Sequence, residues 1–200
     1  KLKTILTGLL MICKIQTRQF RRIVRKKVCS EKWQRIQATL NDAEIQNGLL
    51  PNSLYAIYLI ETTARPLYAR LAEYIVTTCR MLLCYLIKLP LPSYTIGRFQ
   101  IGIPYILQYK GKDIYEHVDR IKQINLRDMV AVWKSASWEM QVKLAVYRLK
   151  PITRRAKKIY HVSEEDCDYR AYVYIGEQYN GQYSYGLFMQ EIADYLNLMM

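Results

Sequence analysis

The chain has 200 residues, of which 51% are apolar and 24% charged, and its formal net charge is +13. This length suits one domain, or one domain with an additional arm, and the apolar fraction excludes a globally disordered chain. The excess of positive charge indicates an anionic partner, which composition alone leaves open among nucleic acid, anionic lipid and an anionic cell-wall polymer.

The five cysteines predict neither a disulfide framework nor a metal site. Their number is odd, no two have Cys-x-x-Cys spacing, and only two histidines accompany them. We expect buried thiols, because cysteine is among the most frequently buried residues, and we expect no metal and no cofactor. The cysteines are Cys13, Cys29, Cys79, Cys84 and Cys167.

The N-terminal residues resemble an export signal only in part. Two lysines precede the apolar run of residues 5–13, but the run is short and no cleavage motif of small residues follows it. The sequence therefore leaves open whether this segment is a signal or an anchor. Elsewhere no stretch reaches the roughly 20 consecutive apolar residues of a membrane span.

Residues 16–36 predict a basic amphipathic helix, because apolar residues recur among the bases at a spacing of three to four. Such a helix either lays a solvated face over a stripe that packs on the core, or docks on an anionic polymer or membrane. Nucleic acid is not expected, since no helix-turn-helix, zinc-finger or ribonucleoprotein signature is present. The bases are Arg18, Arg21, Arg22, Arg25, Lys26, Lys27, Lys32 and Arg35.

Two helices are predicted next. Ser30 caps the first, which reaches about residue 45 and is stopped by Gly48. A turn at residues 51–53 then begins the second, over residues 54–62.

Glu61 is the one carboxylate at the end of this otherwise apolar second helix, and it shares a face with Leu54, Ile57 and Tyr58. A carboxyl group at the rim of apolar packing is partly desolvated. Its pKa should therefore rise, as a general acid near neutral pH requires. From spacing alone, a structural Glu61 that caps a helix or pairs with a base such as Arg65 is the more common case.

Pro66 restarts the chain as a long apolar helix over residues 67–87, typical of a buried helix or of one in a membrane interface. Residues 94–106 predict irregular structure or short strands, where Gly97 and Gly102 indicate close approach of the backbone to another group. From residue 110 the chain is predicted to be helical again. The expected caps are Asn125, Ser137, Ser163 and Ser184, and the turn Tyr179-Asn180-Gly181 separates the last two helices.

Three motifs follow one another along the chain. The first is the helix that ends in Glu61, with Thr62 next and Pro66 a few positions on. The second is the segment 97–101, Gly-Arg-Phe-Gln-Ile, and the third is the Tyr-Asn-Gly turn at 179–181 after a helix of small and apolar residues. In this order they resemble the lytic transglycosylases, which are lysozyme-superfamily enzymes that cleave peptidoglycan.

The resemblance implies a mainly α, lysozyme-like fold, α+β with little strand. It implies a basic helical N-terminal arm at residues 1–45 and a catalytic domain at residues 46–200, with an apolar helical insertion at about 67–89. The implied reaction is cleavage of the β-1,4 bond between MurNAc and GlcNAc in peptidoglycan glycan strands. The implied compartment is the cell envelope, periplasmic or secreted, with the basic arm on an anionic membrane or wall polymer.

The resemblance also implies a role for each motif residue. Glu61 acts as acid and then as base, while a substituent of the sugar closes a 1,6-anhydro ring. Tyr179 holds Glu61 or orients the substrate, and Gln100 contacts the sugar. The remaining substrate-binding set is Thr62, which bonds Glu61 or its own helix backbone, Gly97, Phe99, which packs beneath the site, and Asn180, which shapes the turn.

Other functions stay open at this stage. A lysozyme-like muramidase would use a second carboxylate, for which Asp113 and Glu116 are the nearest candidates. A wall-binding module without activity, a membrane-associated effector driven by residues 1–28 and 67–89, and a basic nucleic-acid-binding protein are the rivals. The oligomeric state and the choice between endo and exo cutting are not indicated.

Overall fold

A computed structural model describes residues 18–28, 30–65, 67–92, 94–113, 120–162 and 168–197 of this protein. The protein is mainly α, as the sequence predicts, with 76% helix and 4% strand among these described residues. The elements in chain order are α1 (Arg18–Val28), α2 (Glu31–Asn47), α3 (Ser53–Ala64), α4 (Leu67–Ile87), β1 (Leu91–Pro92), β2 (Thr95–Ile96), β3 (Ile101–Gly102), α5 (Ile103–Tyr109), β4 (Arg120–Ile121), α6 (Leu126–Lys134), α7 (Trp138–Tyr160), α8 (Tyr169–Asn180) and α9 (Tyr183–Asn197).

The chain forms two compact units. Unit 1 combines Lys1–Ala64 with Val146–Met200, and unit 2 is the intervening Arg65–Ala145. The arm boundary expected at residue 45 falls inside α2, and the apolar helix expected as an insertion, α4, belongs to unit 2 together with the residues that follow it.

Helix α3 is the centre of unit 1. Every residue from Ser53 to Glu61 is buried, and α1, α2 and α9 all pack against this helix. A helix that is apolar around most of its circumference can bury all of its sides only when other helices surround it. The sequence predicted one core-facing side for it, whereas the structure buries all sides of its first nine residues.

The N-terminus of α3 is capped by a buried side chain from α2. Glu44 accepts the backbone N–H groups of Asn52 at 2.7 Å, Leu54 at 2.6 Å and Tyr55 at 3.2 Å. These are donors that the first turn of a helix leaves unpaired. Burial raises the pKa of Glu44 to about 7, although the three N–H bonds act in the opposite direction.

The basic helix α1 belongs to unit 1 and packs against α2 and α3. Val24 and Val28 are buried, while Arg22 and Lys26 are exposed. The Lys27 ammonium donates to Thr63 Oγ1 at 2.9 Å and to the Thr62 carbonyl at 3.3 Å, near the C-terminal end of α3 where the helix dipole favours a cation. A solvated basic face over a packed apolar stripe, the first of the two alternatives for this segment, is therefore present.

Helices α8 and α9 cross closely at two glycines. A Cβ atom at Gly186 would lie 2.1 Å from the Val173 carbonyl oxygen, and one at Gly176 would lie 2.7 Å from the Gly186 Cα. The helix backbones approach this closely because neither residue carries a side chain. The crossing and the turn before it bring the end of α8 next to the start of α9.

Unit 2 contains α4, two short antiparallel sheets, α5 and α6. Strand β1 pairs with β4 through Leu91↔Ile121, and β2 pairs with β3 through Ile96↔Ile101. Asn125 caps α6 as predicted, in a capping box with Asp128. The buried core of this unit includes Phe99, Ile103, Ile106, Val132 and Leu144.

Several predicted boundaries are wrong. The segment from Ile103 is helical rather than irregular, because Pro104 lies in the first turn of α5, where no N–H is needed. The next described element after α5 is strand β4, so the chain is not helical from residue 110. Helix α7, which the sequence predicts over residues 138–149, continues through Pro151 to Tyr160. Helix α8 begins at Tyr169 with Asp168 as its cap, whereas the predicted cap Ser163 lies outside the described residues.

The cysteine prediction is half correct. Cys84 is buried, as expected, but Cys79 is exposed, because it lies on the outer side of α4. The other three cysteines lie outside the described residues. No helix in the described part of the chain is long and apolar enough to cross a membrane.

We predict that Glu44→Gln removes a pH dependence of stability. The folded protein holds the Glu44 proton up to about pH 7, whereas the unfolded chain releases it near the ordinary value of 4.5. Ionisation of Glu44 therefore lowers the free energy of unfolding as the pH rises through this window, by about 3 kcal/mol at most. Urea unfolding at pH 5 and pH 8 should show a smaller loss of stability in the variant than in the wild type.

Comparison of the wild type with Glu44→Gln isolates the effect of Glu44, since the other titrating groups contribute equally to the pH dependence of stability in both proteins. Glu44→Ala serves as the control, because it removes the cap at every pH and should cost about 1–2 kcal/mol. Identical pH dependence of the wild type and Glu44→Gln would contradict the assignment.

Candidate active site

Glu61 lies in the last turn of α3, and only 5% of it is exposed. The hydroxyl of Tyr185, near the start of α9, donates a hydrogen bond to Glu61 Oε1 at 3.1 Å. A buried carboxyl group needs such a partner, because burial without hydrogen bonds is costly. The contact joins two residues that are 124 positions apart in the sequence.

A second tyrosine adjoins this pair. The ring of Tyr179, at the end of α8, stacks on the ring of Tyr185 with 6.3 Å between centroids and 27° between planes. Burial raises the pKa of both phenols, the charge of Glu61 raises them further, and Arg148 acts in the opposite direction. Both hydroxyl groups therefore remain protonated and able to donate at neutral pH.

Arg148 of α7 fixes Tyr179 from two directions. Its guanidinium carbon lies 4.6 Å from the centroid of the Tyr179 ring, and its Nη2 donates to the Tyr179 carbonyl oxygen at 2.8 Å. A cation over an aromatic face is attracted by the ring quadrupole, and a cation at a helix C-terminus is favoured by the dipole. Gly181, with φ 80°, ends the helix directly afterwards.

The site in unit 1 thus contains one buried carboxyl group, two neutral phenols and one guanidinium group. A carboxyl group in such surroundings can hold a proton or release it, and the Tyr185 hydroxyl stabilises the ionised form that remains after release. The raised pKa of Glu61 expected from the sequence stays a prediction.

The second motif lies in unit 2, where Gly97 is approached closely by Gln141. Gly97 has φ 84°, and a Cβ atom there would lie 2.1 Å from the Gln141 side chain. That side chain accepts the Phe99 N–H at 3.2 Å and donates to the Ser135 carbonyl at 2.8 Å. The expectation of a close approach is confirmed at Gly97. It is wrong at Gly102, where a Cβ would make only ordinary contact, with Pro104.

Gln100 is held by bonds within unit 2. Its amide nitrogen donates to the Gly97 carbonyl at 2.9 Å and to Glu73 at 3.3 Å, and its amide oxygen accepts the Thr95 hydroxyl at 2.6 Å. The amide therefore closes the turn between β2 and β3. A contact between Gln100 and a sugar stays a prediction.

The remaining motif residues have structural contacts. Phe99 is fully buried and stacks on Trp138 within unit 2; its packing beneath the Glu61 site stays a prediction. The Thr62 hydroxyl donates to the Tyr58 carbonyl of its own helix at 2.6 Å, which is one of the two predicted alternatives. Asn180 is exposed as the last residue of α8, and the positive φ of the turn falls on Gly181.

Three charged residues near the motifs were candidates for a role at the site, namely Arg65, Asp113 and Glu116. Arg65 forms an ion pair with Glu73 within unit 2. Asp113 is exposed, and Glu116 lies outside the described residues. Neither Asp113 nor Glu116 gains support as a second catalytic carboxylate.

Tyr185 and Arg148 were not identified from the sequence. Tyr185 follows the Tyr-Asn-Gly turn closely, so its place in the first turn of the next helix was a usable signal. Arg148 is one base among many on α7, and nothing in its spacing distinguishes it.

Comparison with known proteins provides no match to a family model, to a curated protein or to a solved structure. The functional reading therefore depends on the three motifs and on the geometry around Glu61.

We predict that Tyr185→Phe raises the pKa of Glu61. The tyrosine hydroxyl donates to the carboxyl group and favours its ionised form, so its removal favours the protonated form. A hydrogen bond to a charged group is worth about 1.5–3 kcal/mol, which corresponds to a rise of about one to two pKa units. Carbon-13 NMR titration of the glutamate carboxyl groups measures this shift.

Tyr55→Phe is the matched control for this titration. Tyr55, like Tyr185, is a buried tyrosine. It lies on α3, and its hydroxyl donates to the Trp33 carbonyl at 3.2 Å and not to Glu61. The control should leave the Glu61 pKa in place. An unchanged value in Tyr185→Phe, or an equal change in both variants, would refute the proposed contact.

Proposed function

We propose that this protein is a lysozyme-like lytic transglycosylase that cleaves the β-1,4 bond between MurNAc and GlcNAc in peptidoglycan. The observation that carries the proposal is the contact of Tyr185 with the buried carboxyl group of Glu61, next to Tyr179. Two of the three family motifs, separated by more than a hundred residues, thereby come together in unit 1. The resemblance implies that Tyr179 holds Glu61 or orients the substrate; here Tyr185 donates to Glu61, and Tyr179 stacks on Tyr185.

Glu61 first acts as a general acid in the proposed reaction. Its protonated carboxyl group donates to the glycosidic oxygen as the bond to the anomeric carbon breaks, and an oxocarbenium-like centre develops. The Tyr185 hydroxyl then stabilises the carboxylate that remains. Because burial raises the Tyr185 pKa, this hydroxyl keeps its own proton throughout.

Glu61 then acts as a general base. Its carboxylate accepts the proton of the C6 hydroxyl of the same MurNAc residue while that oxygen bonds to the anomeric carbon. The products are a 1,6-anhydro sugar and a shortened glycan, no water is consumed, and the carboxyl group regains its proton for the next cycle.

The surroundings of the other buried glutamate support a single catalytic carboxylate. Glu44 lies at the opposite end of α3 from Glu61, and three backbone N–H groups occupy its two oxygens. It is therefore committed to capping the helix. A second carboxylate is not required for closure of a 1,6-anhydro ring.

The charge of the protein suits an enzyme of the cell envelope. Arg22, Lys26, Lys32 and Arg35 are exposed on α1 and α2, where they can bind anionic wall polymers or lipid headgroups. We propose that the protein acts in the periplasm or outside the cell, because its proposed substrate, peptidoglycan, lies there.

A wall-binding module without activity is the second candidate. The observation that favours it is the 5% exposure of Glu61, since an acid must reach the glycosidic oxygen within about 3 Å. In this case Glu61 would be a buried structural group, and the protein would bind glycan strands without cleaving them.

We predict that Glu61→Gln abolishes the release of 1,6-anhydro-muropeptides from purified peptidoglycan. General acid–base catalysis contributes about 10²–10⁴-fold, so the rate should fall by at least 100-fold. Glu44→Gln is the matched control, because it makes the same change at the other buried glutamate of unit 1 and should retain activity. Chromatography with mass detection of the soluble products measures the release.

Equal product release by the wild type and Glu61→Gln would refute the catalytic role. If neither protein releases products but both bind peptidoglycan in a pull-down, the wall-binding module is the correct reading.

A further inference from the structure

Helix α4 packs in unit 2 with its more polar side. Thr77, Met81 and Cys84 are buried on that side. The opposite side is apolar and exposed over the full length of the helix, with exposed fractions between 42% and 67% for six of its side chains. These six, which we call the α4 apolar face, are Leu71, Ile75, Val76, Leu82, Leu86 and Ile87.

The α4 apolar face is continuous. At 100° per residue its six side chains lie within an arc of about 160°, and a helix of this length extends for about 31 Å. Tyr68, which is 75% exposed, lies at the N-terminal end of the same arc. Soluble proteins rarely expose an apolar surface of this size without a partner for it.

Specific contacts hold the polar side inward. Tyr74 stacks on Trp133 of α6 with 6.1 Å between centroids, and the Cys84 thiol donates to the Ile121 carbonyl at 3.8 Å. Glu73 pairs with Arg65 and accepts the amide of Gln100. Rotation of α4 to bury its apolar face would break all of these contacts. The contacts therefore keep the apolar face on the outside of unit 2.

A second apolar stripe borders this helix. On α6, Leu126 is 58% exposed, Val130 is 50% exposed and Trp133 is 45% exposed. Their spacing of four and then three places them on one side of the helix. The stacking of Trp133 on Tyr74 makes this stripe a neighbour of α4.

The charges around these surfaces are basic. Arg80 lies at the edge of the apolar arc and Lys88 directly after the helix, and Arg127 and Lys134 flank the α6 stripe; all four are exposed. The single acid of α4, Glu73, lies next to Arg80 around the helix and is paired with Arg65. The sequence of unit 2 contains twelve lysines and arginines against six aspartates and glutamates.

We propose that the α4 apolar face docks in the interface of an anionic lipid bilayer, with the helix axis in the membrane plane. An apolar face with a basic rim matches acyl chains beneath anionic headgroups, which long basic side chains reach while their stems stay on the apolar surface. A second copy of the chain is a poorer occupant, because a symmetric contact would set the basic rim against itself. The helix lies on the bilayer, and no described helix could span it.

Vesicle flotation of the full chain tests this proposal. The probes are vesicles of phosphatidylcholine alone and vesicles that also contain about 30% phosphatidylglycerol. The wild type should float with the anionic vesicles, and the double variant Ile75→Glu/Leu82→Glu should lose at least about tenfold in partitioning, since two charges enter the apolar contact. The matched control, Ile45→Glu/Ile159→Glu, changes two exposed isoleucines of unit 1 and should float like the wild type.

A second measurement does not depend on the charged variants. Tryptophan fluorescence should be quenched by brominated lipids in the wild type, and most of this quenching should disappear in Trp133→Phe, because Trp133 borders α4. Thermal unfolding followed by circular dichroism confirms that each variant is folded.

Three outcomes would overturn the proposal. Equal flotation of the α4 variant and the wild type would exclude the face from the contact. An equal loss in both double variants would show binding by net charge alone. A wild type that does not float, but is a dimer by light scattering and becomes a monomer in Ile75→Glu/Leu82→Glu, would show that a second copy covers the face.

Discussion

The burial of α3 on all sides is the constraint on which unit 1 depends. Because its first nine residues are buried, the N–H groups at its N-terminus must be satisfied without water. Glu44 meets this need at the N-terminus by accepting three N–H groups, and Lys27 contributes at the C-terminal end. Glu61 lies one turn from that end, so the apolar packing that holds the helix also removes its carboxyl group from solvent.

The two glutamates show how position decides the role of one residue type. Glu44 is surrounded by backbone donors that commit both of its oxygens. Glu61 is approached by a phenol whose hydroxyl donates to the carboxyl group and stabilises its ionised form without adding a competing charge. The tight crossing of α8 and α9 at Gly176 and Gly186 sets the position of that phenol. Two glycines that carry no functional group therefore help to determine the geometry around Glu61.

Much of the local structure could be predicted from the sequence. Gly48 and Asn125 were assigned correctly as helix-terminal residues, because their chemistry is local. The helical structure at Pro104 and Pro151 was not predicted, because a proline stops a helix only where its missing N–H and ring cannot be accommodated. Glu44 was not noticed, since its three N–H partners become its neighbours only through the turn between α2 and α3.

The site was predictable only where a motif marked it. Tyr179 was anticipated through the Tyr-Asn-Gly turn, whereas Tyr185 makes the observed hydrogen bond with Glu61. The α4 side chains show a further limit. Helical periodicity indicates that one side of a helix differs from the other, but it does not indicate that the polar side faces inward, which depends on the partners Trp133, Ile121 and Arg65.

A crystal structure of Glu61→Gln with a bound MurNAc–GlcNAc oligosaccharide tests the central claim most directly. The substitution retains the shape of the side chain and, under the proposed mechanism, prevents turnover, so the intact glycan should remain in place. We expect a glycosidic oxygen within about 3 Å of the amide at position 61. A glycan bound elsewhere, with the Glu61 position sealed by its neighbours, would contradict the role of Glu61 as the acid and base.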